Sequence, residues 1–133
     1  MSNAVLRIVI GLVLIAHGAG HVLFLGPWLG RAGWGKAGRS WLLSGRVPGV
    51  VVLIVGDALW LAAMFGFMVA GGGILGQHGW WRALAVGSAV ASILGLVLFG
   101  QPIQPVLSAG LMDIIILVAL LVLGWPSVGL VGS

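Results

Sequence analysis

Two histidines, His17 and His21, stand four residues apart in the apolar stretch "LIAHGAGHVLF". Residues i and i+4 share a helix face, so both imidazoles can look into the same space. Gly18 and Gly20, between them, remove side-chain bulk and would let another helix or a ligand approach closely. The chain has only two acidic residues, Asp57 and Asp113, and each also sits inside an apolar run. A charge near the centre of a bilayer costs roughly 2.5–3.5 kcal/mol even on lenient insertion scales, so such groups pair internally and are functional by default. Ser88 and Ser92 repeat the four-residue spacing on another apolar run, beside Ala85, Ala89 and Gly95. That small-residue stripe reads most simply as a packing face, from which the serines could still donate hydrogen bonds to the group.

Imidazoles and carboxylates in one apolar setting support four kinds of chemistry. The plainest is a hydrogen-bond network that fixes helix register, with the aspartates neutralised by shared protons. A second is a site for a lipophilic molecule with a polar head, such as a quinone, whose oxygens histidine and carboxylate can bond and supply with protons. A third is proton conduction or proton-coupled transport. The fourth is a metal site, as in a metal-dependent membrane enzyme, in which His17, His21, Asp57 and Asp113 would be the ligands. No glutamate lies between the histidines, so the HExxH arrangement of zinc proteases is absent. Two histidines on one helix face also cannot take opposite axial positions of one haem. No catalytic role follows for any residue, and the chain reads as a subunit rather than a self-contained enzyme.

The elements that must carry these residues follow from composition. Of 133 residues, 61% are hydrophobic and 6% charged, and the mean hydropathy is +1.25. A soluble domain carries about a quarter charged residues, so the expectation is an integral membrane protein. Four apolar runs, about 5–25, 49–70, 80–99 and 105–125, are each long enough to cross a hydrocarbon core of about 30 Å. Proline and glycine punctuate their edges, at Gly26–Pro27, Pro48, Gly71–Gly73 and Pro126. The first run is too long and its small-residue site too poor for a cleaved signal peptide. The expected fold is an all-α, four-helix transmembrane bundle forming one domain. Counting from the ends of the runs puts His17, Asp57 and Asp113 roughly 12–14 Å deep, at one level, with His21 one turn away.

Orientation follows from the basic residues. Arg31, Lys36, Arg39 and Arg46 all fall in the loop 26–48, interleaved with Trp28, Trp34 and Trp41. The positive-inside rule makes that loop cytoplasmic and puts both termini outside the inner membrane, with Arg7 as the weaker dissent. Tryptophan favours the headgroup layer and basic side chains favour anionic lipid, so the loop reads as a lipid-interface anchor. Trp80, Trp81 and Trp125 would mark the outer interface, with His78 beside them. The formal charge of +4 therefore speaks for lipid headgroups and not for nucleic acid. Cysteine is absent, which excludes disulfides and thiolate-ligated metals.

The opening helix, "LRIVIGLVLIAHGAGHVLF", resembles that of the DoxX-like small membrane proteins. Both have an arginine near the start, small residues mid-helix and an "HG" followed by a polar residue. The plan of four spans with an acidic residue in the second, here within "LIVGDALWLAAMFG", is similar too. The family commonly has lysine where His21 stands and glutamate where Asp57 stands, and the "HGxxH … WWRAL" pattern looks closer to an uncharacterised bacterial branch. The resemblance implies an accessory or quinone-interacting subunit of a membrane redox system. At this size, association with partner subunits or with further copies of the chain is also expected.

Overall fold

The computed structural model describes residues 2–25, 39–99 and 103–131, with side chains in the last stretch from Leu107 onward. Every named element is helical: α1 (Asn3–Gly20), α2 (Gly49–Leu75), α3 (Trp81–Phe99), α4 (Ile103–Leu117) and a short α5 (Val128–Val131). A 3₁₀ turn, His21–Phe24, extends α1, and one π-helical turn, Val118–Val122, extends α4. The first, α1 with its turn, and α2 and α3 are long and apolar enough to cross a membrane, and Leu107–Val122 forms a shorter apolar fourth.

Local chemistry sets the helix ends. Ser2 caps α1, its hydroxyl accepting from the Val5 amide at 3.3 Å. Pro48 stands just before α2 with extended ψ, where its missing N–H costs no helical bond. The glycines at 71–73 do not stop α2, which runs on to Leu75. Gly71 and Gly73 serve contact instead: a Cβ on Gly71 would lie 2.6 Å from the Gly11 carbonyl oxygen, so bare backbone there lets α1 and α2 touch.

Helix α1 packs along α2, α2 along α3 and α3 along α4, and α5 folds back on α1, whereas α1 and α4 make little direct contact. The core forms where Phe67, Ala70 and Ile74 of α2 meet Trp81, Ala85 and Ala89 of α3, closed by Leu14, Ile116 and Val131. These positions recur every three or four residues, as one face of a helix requires. Outward faces are apolar as well: Ile8, Leu12, Ile54, Phe65, Leu94, Val97, Leu111 and Ile114 are all exposed. A belt of that extent needs an apolar surrounding, which suggests a membrane location.

The tryptophans divide. Trp80 and Trp125 are about half exposed, as interface residues are, but Trp81 is only 1% exposed and belongs to the core. It shares the face of Ala85, Ala89 and Ser92, which turns it inward. In the loop before α2, Trp41 is exposed and donates through Nε1 to the Val97 carbonyl at 2.6 Å. That carbonyl is in the last turn of α3. Arg39 and Arg46 are exposed, and Arg46 bonds the Leu42 carbonyl. Trp28, Arg31, Trp34 and Lys36 lie outside the described residues.

Candidate functional site

The site begins where α1 tightens. His21 is the C-cap of α1 and starts the 3₁₀ turn, so its backbone N–H reaches Gly18 and Ala19 rather than His17. The His21 ring instead reaches the His17 carbonyl, Nδ1 to oxygen at 3.0 Å. A carbonyl only accepts, so Nδ1 of His21 carries a proton. The two rings stand edge to face with centroids 5.0 Å apart. Phe67 of α2 packs against both, at 4.7 and 5.8 Å, while Trp60 lies 6.2 Å from His21 and stacks on Phe24.

Helices α3 and α4 complete the set. His17 Nε2 and Asp113 Oδ1 are 2.8 Å apart, Ser92 Oγ is 2.5 Å from Asp113 Oδ2, and His21 Nε2 is 2.8 Å from Ser92 Oγ. Ser92 and Asp113 are fully buried, and His21 is 1% exposed. Three helices are thus tied by one closed run of polar contacts, His17–Asp113–Ser92–His21.

Counting protons around this run exposes a shortfall. Ser92 has one hydroxyl proton, yet it lies between two groups that accept when in their ordinary forms, the Asp113 carboxylate and Nε2 of neutral His21. Both contacts are hydrogen bonds only with one more proton among them. A proton on Asp113 or His21 would supply it, whereas a metal ion taking the His21 Nε2 lone pair would remove the need for it.

Of the expected site residues, the structure therefore joins His17, His21, Asp113 and Ser92. It places Ser88 and Asp57 apart from them. Ser88 donates to the Leu84 carbonyl of its own helix at 2.7 Å. Asp57 is half-buried and has an interaction of its own. Gly18 of α1 packs against Met64 and Phe67, so Asp57 stands seven residues, about 10 Å, further along α2. Helix α2 has 27 residues and outruns α1, which is why depths counted from the ends of the runs made the two residues level. Phe67 and Trp60, the aromatic wall of the site, carried no polar signal by which sequence could single them out. Only their inward spacing on α2, shared with Ala63 and Ala70, marks them.

Two openings lie along the loose seam between α1 and α4. One, of about 250 Å³, exposes His17, Gly20 and Phe24 opposite Ser108 and Ala109. The other, of about 270 Å³, begins at Leu14 and extends toward the N-terminus of α1, with apolar walls that include Leu14, Met112 and Ile116. His17 keeps 12% of its side chain exposed at the first opening. Among the described residues nothing bonds its Nδ1.

Comparison with family models, with curated proteins and with solved structures returned no match to this chain.

Proposed function

We propose that the chain is a four-helix integral protein of the inner membrane, a DoxX-like subunit that binds a quinone-type molecule at the α1–α4 seam. The observation that carries this reading is His17. One ring nitrogen is held by buried Asp113, and the ring borders an opening aligned with an apolar trough. A polar head at His17 and a hydrocarbon tail along Leu14, Met112 and Ile116 match the two halves of such a ligand. When Nε2–H is given to Asp113, a neutral His17 presents a lone pair at Nδ1, which accepts a hydroxyl proton and favours the quinol. The exposed apolar belt, the basic loop 26–48 and the family resemblance support the membrane setting, with that loop cytoplasmic and both termini outside.

A second reading rests on the closure of the polar run, which links α1, α3 and α4 and would hold their register without any ligand. The two readings separate at Ala109, which borders the opening and takes no part in the run. Short-tailed quinol binding to the purified protein is measured by quenching of tryptophan fluorescence. Saturable one-to-one binding is expected, and Ala109→Phe should weaken it at least tenfold while leaving thermal stability within a few degrees of the parent. No saturable binding by the parent protein, or equal binding by Ala109→Phe, would refute the ligand reading and leave the packing role.

A further inference from the structure

We infer that His17, His21 and Asp113 form a binding site for one divalent transition-metal ion of the kind that prefers nitrogen and oxygen donors, such as zinc or ferrous iron. The inference shares His17, Asp113 and the opening with the quinone reading but does not rest on it, and it starts from the missing proton around Ser92. Each of the three residues offers a donor atom, and these atoms lie within 4.8 Å of one another. Two imidazoles and one carboxylate suit zinc and ferrous iron, and a chain without cysteine offers no thiolate to draw softer ions.

The surroundings prepare the donors. The bond from His21 Nδ1 to the His17 carbonyl fixes the tautomer in which Nε2 carries the lone pair, as a hydrogen bond to the other nitrogen of a ligating histidine commonly does. Ser92 then gives its proton to Asp113 Oδ2 and holds the carboxylate with Oδ1 toward His17. With a metal in place of the extra proton, the Ser92 proton goes to Asp113 and the His21 Nε2 lone pair goes to the ion, so neither acceptor is left short. Bonds of about 2.0–2.2 Å place ligand atoms about 3.3 Å apart in a tetrahedral site. The set therefore contracts by at most about 1.5 Å from its widest permitted separation. Phe67 and Trp60 cover the ring side of the site, and the opening at His17 is the way in. A single carboxylate leaves the site with one net positive charge, so a fourth ligand from that opening should be an anionic oxygen.

The test uses the whole chain in mild detergent, stripped with a chelator, and titrates it calorimetrically with Zn²⁺ at pH 7.5. One equivalent should bind. His21→Ala and Asp113→Ala should each weaken binding at least a hundredfold, whereas Ser92→Ala should keep the stoichiometry and lose roughly 10–100-fold. His78 is exposed and stacked on Trp80, and His78→Ala should change nothing. X-ray absorption of the zinc-loaded parent protein should show two imidazole ligands, a readout that needs no variant to fold. Absence of binding by the stripped parent, binding that survives both ligand variants, loss in His78→Ala, or a spectrum without imidazoles would each overturn the assignment. Ala109→Phe keeps all three metal donors, so a failed quinol assay and a failed zinc titration are separate results.

Discussion

Ser92 and Ser88 lie one turn apart on α3 and are both buried, yet the structure gives them opposite energetic weights. Helices of a membrane protein persist after the bundle comes apart, so only bonds between helices are lost on unfolding. Ser92 makes two of these, to Asp113 on α4 at 2.5 Å and to His21 at the end of α1 at 2.8 Å. Interhelical bonds in membranes are worth about 0.6 kcal/mol on average and about 1.7 at most, so Ser92→Ala should cost about 1–3 kcal/mol. The upper part of that range is expected, because a carboxylate oxygen and an imidazole nitrogen are left short in a buried place. Among the described residues Ser88 bonds only Leu84 of its own helix, at 2.7 Å, a contact that survives in the separated helix. Ser88→Ala should therefore cost about 0.5 kcal/mol or less. Reversible unfolding in mixed detergent micelles, followed by the chain's seven tryptophans, measures both. Equal losses, or a larger loss at Ser88, would refute the assignment of Ser92 to the run.

The glycines beside the histidines make a second contrast. A Cβ on Gly18 would lie 2.7 Å from the Met64 carbonyl oxygen, so Gly18→Ala must push α1 off α2 and should cost about 1–3 kcal/mol in the same assay. Gly20 has nothing within 4 Å, and Gly20→Ala should be neutral or stabilising by up to about 1 kcal/mol. Topology can be checked cleanly because the chain has no cysteine. Lys36→Cys should react with an impermeant maleimide only from the cytoplasmic side and Gln77→Cys only from outside; the reverse pattern would invert the orientation.

Sequence alone determined the quantities that depend on position along the chain. Four apolar runs, the basic loop between the first two, and ionisable residues too costly to leave unpaired in apolar runs all follow from burial energetics and helical period. The pairing of His17 with His21 belongs to that class, since i and i+4 share a face whatever the fold. The choice of partners does not. Asp113 meets the histidines while Asp57 stands about two turns further along α2. Likewise Ser92 crosses to other helices where Ser88 bonds its own. Those outcomes depend on the axial offset and rotation of one helix against another. Close contacts such as Gly11 with Gly71 and Gly18 with Met64 set that offset, and the 27-residue length of α2 carries it well past the end of α1. Such contacts join residues dozens of positions apart, so counting inward from loop ends cannot recover them, and tertiary packing alone decided which polar groups meet.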